Sequence, residues 1–167
     1  SAMDDRLYIN LGYRVQKDKD VRSSNVREAD GDPMTLGALY HLNDSRTASV
    51  YANANETFQP VYTVSDDGYD LPPITGGQFE VGFKVDFGAQ AGKRPGLLTG
   101  NLTYFELELI NLPVNISEDE TQSIYRPSGV GATSEGMEIS FSSNPTKGLR
   151  IFGSMAYLLD SDNPALV

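Results

Sequence analysis

The nine residues Phe79-Glu80-Val81-Gly82-Phe83-Lys84-Val85-Asp86-Phe87 decide the fold class. Every odd position is apolar and every even one is polar or glycine, the two-residue period of a β-strand whose two faces meet different surroundings.

Working outward, the same period recurs at Leu7, Ile9, Leu11, Tyr13 and Val15, at Leu36, Ala38, Tyr40 and Leu42, and at Leu149, Ile151, Gly153, Met155 and Tyr157. Met137, Ile139 and Phe141 make a shorter strand, and Ala48 to Phe58 the weakest one, with Val50, Ala52 and Ala54 opposite Tyr51, Asn53 and Asn55. Between Leu98 and Leu109 the apolar set runs Leu98, Leu102, Tyr104 and then shifts phase to Phe105, Leu107, Leu109. One inserted residue would produce that shift, so a long strand with a bulge is expected there. No amphipathic helix, heptad or exact repeat is visible. The expectation is an all-β chain, an antiparallel up-and-down meander of about seven to eight strands, barrel or barrel-like.

The connections alternate in length. Lys17 to Met34, Pro60 to Gly77 and Pro113 to Thr133 are long, whereas Asn43 to Arg46, Gly88 to Gly96 and Ser143 to Lys147 are shorter and rich in turn residues. A meander whose long loops project from one end gives this rhythm, and outer-membrane barrels have it. A soluble sandwich or barrel fits equally well at this point, because alternation creates two faces without saying which one meets water.

Composition removes several classes of function. With 13 basic against 23 acidic residues and a net charge of -10, the chain lacks the cationic surface that nucleic-acid binding needs. The absence of cysteine excludes disulfide staples, thiolate zinc sites and cysteine nucleophiles. No run approaches a membrane helix in length, and the N-terminus carries no signal-peptide pattern. Ser1, Ala2 and Met3 read as a tag scar ahead of a single β domain over 4–167, a length suited to one core.

Three stretches carry a resemblance. Ser49 to Pro60, SVYANANETFQP, is similar to a strand that reads like SLYASYSESFQP in TonB-dependent outer-membrane siderophore receptors. Pro73 to Lys84, PITGGQFEVGFK, looks like the same family's PETGKQYEVGVK passage. Phe105-Glu106-Leu107, Asn111-Leu112-Pro113-Val114 and Ser134-Glu135-Gly136-Met137-Glu138 resemble the hairpins that follow, in the same order and spacing, so the likeness runs from about Arg6 to Tyr157. It implies an outer-membrane location and ferric-siderophore uptake through a barrel of roughly 22 strands closed by a plug. These 167 residues show no plug, no energy-coupling box and no closing aromatic strand. The resemblance is therefore to part of a barrel wall, which alone would not transport. Seven strands left open would expose two edges, and hydrocarbon does not tolerate unpaired backbone.

Candidate sites are sparse. His41 is the only histidine and falls on the polar side of its strand, without a second histidine or a cysteine to make a base or metal site of it. Glu28, Asp30 and Asp32 around Gly31 faintly resemble a calcium loop but lack its closing glutamate. Asp66, Asp67 and Asp70 with Tyr69, and Glu118, Asp119 and Glu120, are carboxylate clusters that solvation of a loop explains. No serine sits in a nucleophile elbow, and Gly76-Gly77, Gly129 and Gly131 precede strands rather than a phosphate-binding helix. The expectation is no enzyme, no cofactor and no metal.

The family likeness gives the long loops a ligand-capturing role, with Tyr62, Tyr69 and Tyr125 as the aromatic contacts, yet no motif transfers them, and no site residue is assigned. Tyr8, Tyr13, Phe58, Phe87, Tyr104 and Tyr157 fit either a membrane-interface belt or an ordinary core.

Three partners follow: a ferric siderophore, a hydrophobic small molecule inside a closed soluble barrel, or another copy added at open strand edges. A carbohydrate or adhesion module acting through Pro60 to Gly77 is a further alternative.

Overall fold

A computed structural model describes residues 6–22, 25–63, 65, 68–88, 97–117, 124–127, 131–146 and 148–162. Its principal feature is a seven-stranded antiparallel sheet in the order β1 (Leu7–Tyr13), β4 (Met34–His41), β5 (Ala48–Gln59), β6 (Ile74–Asp86), β7 (Leu98–Ile110), β10 (Ala132–Thr146) and β11 (Leu149–Asp162). The strands follow chain order, which is the expected meander. The sheet does not close on itself: β1 and β11 are its two edges. Two small hairpins interrupt the sequence, β2 (Gln16–Arg22) with β3 (Asn25–Gly31), and β8 (Pro113–Asn115) with β9 (Tyr125–Pro127).

Register turns the alternation into rows. One row across all seven strands reads Ile9, Ala38, Ala52, Val81, Tyr104, Met137 and Tyr157, every member apolar or aromatic. These side chains stand on one face, here the stripe face. The opposite, polar face carries Asn10, Gly37, Asn53, Glu80, Phe105 and Gly136 one step along the strands. The stripe is open to its surroundings, with Leu11 73% exposed and Ile9 64%, whereas the polar face holds Tyr51 at 7% and Thr103 at 4%. A closed soluble barrel would have placed the stripe inside; here it is uncovered.

The sequence reading needs four corrections. First, β7 has no bulge: its pairing runs unbroken from Thr75↔Ile110 to Asp86↔Thr99 on one side and from Ala132↔Leu109 to Ser143↔Leu98 on the other. The shift after Tyr104 is a change of face, because Glu106 and Glu108 occupy the stripe face there while Phe105, Leu107 and Leu109 occupy the polar one. The irregularities lie between β10 and β11: Glu135 pairs Asp160 but Gly136 pairs Leu158, so that Leu159 is an extra residue, and the register shifts again between Ser143 and Thr146. Second, Gly76 and Gly77 lie within β6, paired on both sides. Third, Ser143 to Thr146 belongs to β10, which leaves a very short turn before Leu149. Fourth, the excursions Lys17 to Met34 and Pro113 to Thr133 contain the two hairpins, which apolar periodicity could not reveal.

The weakest strand by sequence, β5, is fully laddered over 12 residues, because its neighbours supply the partners that its alanines and asparagines do not advertise.

Candidate functional site

By the meander's connectivity, the three long excursions (14–33, 60–73 and 111–131) leave the same end of the sheet, and the short turns occupy the other. The candidate site is this excursion end together with the polar face below it.

The polar face is built around Tyr51. Its ring lies on Gly82 of the adjacent strand, where an added Cβ would come within 2.5 Å of Tyr51 Cε1, so glycine is what lets the ring lie flat across β6. The hydroxyl reaches beyond it to Thr103 Oγ1 at 2.7 Å, and Lys84 Nζ sits 4.3 Å above the ring centroid. Asn101 Nδ2 donates to the same threonine oxygen at 2.8 Å. Toward the turn end, His41 Nδ1 lies 2.7 Å from Ser49 Oγ, with the Tyr8 ring edge-on at 5.4 Å. His41 is thus a wall residue hydrogen-bonded to its cross-strand partner.

Toward the excursion end the polar face turns apolar through Phe105, Leu107 and Leu109. Phe105 is 9% exposed and packs over Gly136, whose added Cβ would meet that ring at 2.8 Å. At the same level the stripe face turns acidic. The row Leu11, Leu36, Ala54, Phe79 continues into Glu106, Glu135 and Asp160. Tyr104 marks the boundary, its phenol donating to Glu135 Oε2 at 3.1 Å. A cavity of about 760 Å³ spans this boundary, with Phe79, Leu36 and Glu106 among its lining residues.

The excursions are tied together. Arg27 on β3 contacts Asp70 Oδ1 through Nε at 3.0 Å and donates from Nη1 to the carbonyl oxygen of Tyr62. Ser65 and Tyr125 form a parallel bridge between the second and third excursions. Tyr62 is half-buried beside the β2–β3 hairpin. Lost hydration first, and then the charges of Asp18 and Asp20, hold its phenol above the ordinary tyrosine range.

Of the aromatic contacts inferred from the resemblance, Tyr62 offers its carbonyl to Arg27 and Tyr125 bridges Ser65 through the main chain, whereas Tyr69 is 76% exposed. Of the residues that faintly resemble a calcium loop, Glu28 pairs with Lys19 at 3.2 Å, and Asp30 and Asp32 line a separate cavity of about 440 Å³. Among the described residues no group of three acidic, histidine or cysteine side chains could hold a metal ion. Asp66, Asp67, Glu118, Asp119, Glu120 and Gly129 lie outside the described residues. Arg27 escaped the sequence reading, since nothing in the pattern around it marks a contact with residues in another loop.

Comparison with known proteins gives a consistent answer. The model of the family described as TonB dependent receptor-like, beta-barrel, matches residues 2–166. The metal-pseudopaline receptor CntO of Pseudomonas aeruginosa is 28% identical over 123 residues, which cover 74% of this chain and 16% of that receptor. The ferripyoverdine receptor of the outer membrane of Pseudomonas aeruginosa superposes with a TM-score of 0.77 at 22% identity, over 97% of this chain and 22% of that one. The ferric preacinetobactin receptor BauA of Acinetobacter baumannii does so with a TM-score of 0.65 at 25% identity, over 94% and 23%. The chain therefore spans about a sixth to a quarter of the length of these relatives.

Proposed function

This chain belongs to the TonB-dependent receptor β-barrel family, and from that membership we propose that it forms seven consecutive wall strands of an outer-membrane receptor that takes up a ferric siderophore or related metal–chelator complex. The family is one of transporters, and the chain is not an enzyme.

The observation that carries the reading is the exposed stripe. Leu149, Ile151, Gly153, Met155 and Tyr157 alternate along nine residues of β11, close to the roughly 9–11 residues with which a tilted strand crosses hydrocarbon. In this reading the stripe faces lipid and the polar face, with Tyr51, Lys84 and Asn101, lines the lumen. The excursion end then stands outside the cell, where Tyr62, Tyr125 and the Phe105-Leu107-Leu109 patch are placed to meet an incoming ligand. The unpaired edges of β1 and β11 are where the neighbouring wall strands would add, since open edges are not stable in lipid.

The test uses the full-length product that contains this segment. It should fractionate with the outer membrane, and deleting its gene should abolish uptake of the radiolabelled complex it recognises from a panel of siderophores and metallophores. Recovery of the native product as a soluble cytoplasmic protein, or unchanged uptake of the whole panel in the deletion strain, overturns the reading.

A further inference from the structure

The β2–β3 hairpin joins the sheet without a continuous ladder. The β1/β4 ladder ends at Tyr13↔Met34, and pairing resumes at Gln16↔Gly31 as a separate two-stranded sheet. Arg14, Val15, Asp32 and Pro33 lie between, and the Arg14 amide donates to the Pro33 carbonyl at 3.2 Å. Proline has no N–H with which to return a bond. A two-stranded hairpin is marginal by itself in water, and the ion pair across this one, Lys19 with Glu28, joins two exposed side chains and contributes little. At its base the Phe58 ring of β5 lies on Gly31, where an added Cβ would run into it; beyond that contact the hairpin needs a further hold.

Arg27 supplies one. Its side chain is 21% exposed, low for a guanidinium, and its fork spans segment 60–73, with Nε on Asp70 near one end and Nη1 on the carbonyl of Tyr62 near the other. The segment is also closed on itself by main-chain bonds from Leu71 to Thr63, 3.1 Å, and from Ser65 to Tyr69, 2.8 Å. Gripping both ends of a segment already pinned together couples the hairpin to its described residues, 60–63, 65 and 68–73.

We propose that Arg27 is a latch that makes the β2–β3 hairpin and segment 60–73 a single opening unit at the excursion end, so that the two loosen together. The inference stands on these contacts and does not depend on which ligand the receptor carries.

Hydrogen–deuterium exchange on the full-length protein in detergent, read by mass spectrometry, tests it. In Arg27→Gln, amides of the hairpin and of the described residues of 60–73 should exchange about three- to tenfold faster, the span expected for charge-assisted bonds between a largely buried guanidinium and an exposed carboxylate. The seven-stranded sheet should be unchanged. Asp70→Asn, at an exposed position that cannot unfold the wall, should accelerate both regions to a smaller degree, and the double variant should exceed Arg27→Gln by nothing. Acceleration confined to the hairpin, additive effects in the double variant, or no change in either single variant would overturn the latch.

Discussion

Tyr51 and Thr103, on strands that are not neighbours, share a hydrogen bond of 2.7 Å that passes over Gly82 of the strand between them. The ring can lie flat only because the intervening residue has no side chain. Gly82→Ala should therefore displace the ring and cost about 1–3 kcal/mol as an overpacked site. Tyr51→Phe, which removes only the hydroxyl, should cost about 1 kcal/mol. Urea midpoints of the refolded full-length protein compare the two, and an alanine variant no less stable than the phenylalanine variant would refute the packing account.

The stripe face predicts a cost that depends on position. Phe83→Lys, in the middle of the stripe, should destabilise the folded barrel by about 2–4 kcal/mol in bilayers, and Glu106→Lys, beyond its edge, by about 0–1 kcal/mol. Equal penalties at the two positions would mean that the stripe does not face hydrocarbon.

Tyr62 predicts a response to alkali. Its folded pKa lies above the unfolded value, so the folded state holds the phenolic proton more tightly. The stabilisation is complete below about pH 10. It is lost as pH rises through the folded value. The phenolate difference spectrum between the native protein and Tyr62→Phe should titrate above the ordinary tyrosine range. Asp18→Asn and Asp20→Asn should each move it back down; an unmoved titration in both would remove the carboxylates as a cause.

The open edges predict the behaviour of the 167-residue chain by itself. With β1 and β11 unpaired and the stripe uncovered, it should self-associate in detergent-free buffer and disperse in detergent. A monodisperse, cooperatively melting species without detergent, seen by light scattering and circular dichroism, would contradict this.

Much of the wall was legible because strict alternation is a local signal: Phe79 to Phe87 announces both the strand and its two faces. The change of face after Tyr104 was misread as a bulge, since a strand passing from one environment to another and a strand with an inserted residue leave the same trace in sequence. Only the unbroken pairing of β7 on both sides separates them. The β2–β3 hairpin was invisible for the opposite reason: Gln16-Lys17-Asp18-Lys19-Asp20 has no apolar face, and its order comes from a ladder and from Arg27. Arg27 itself carries no local signature, because its partners Tyr62 and Asp70 become neighbours only on folding. Gly76-Gly77 reads as the end of the connection ahead of a strand, yet both are paired within β6, with Leu109 and Thr57 of the two flanking strands against Gly76.

The edge of the stripe does not run square to the strands. Within the strands its unbroken apolar run ends at Tyr13 and Met34, which share a row, two residues lower at Ala54 and Phe79, and two lower again at Tyr104, Met137 and Tyr157, a fall of four residues across the gaps between seven strands. At about 3.4 Å per residue and 4.8 Å between strands, that is roughly 14 Å along the chain for roughly 29 Å across it. A level water surface meeting these side chains would lean the strands about 25° from the bilayer normal, less than the roughly 35–45° of closed membrane barrels. In the setting proposed above, the side chains alone thus give the sheet its direction of lean.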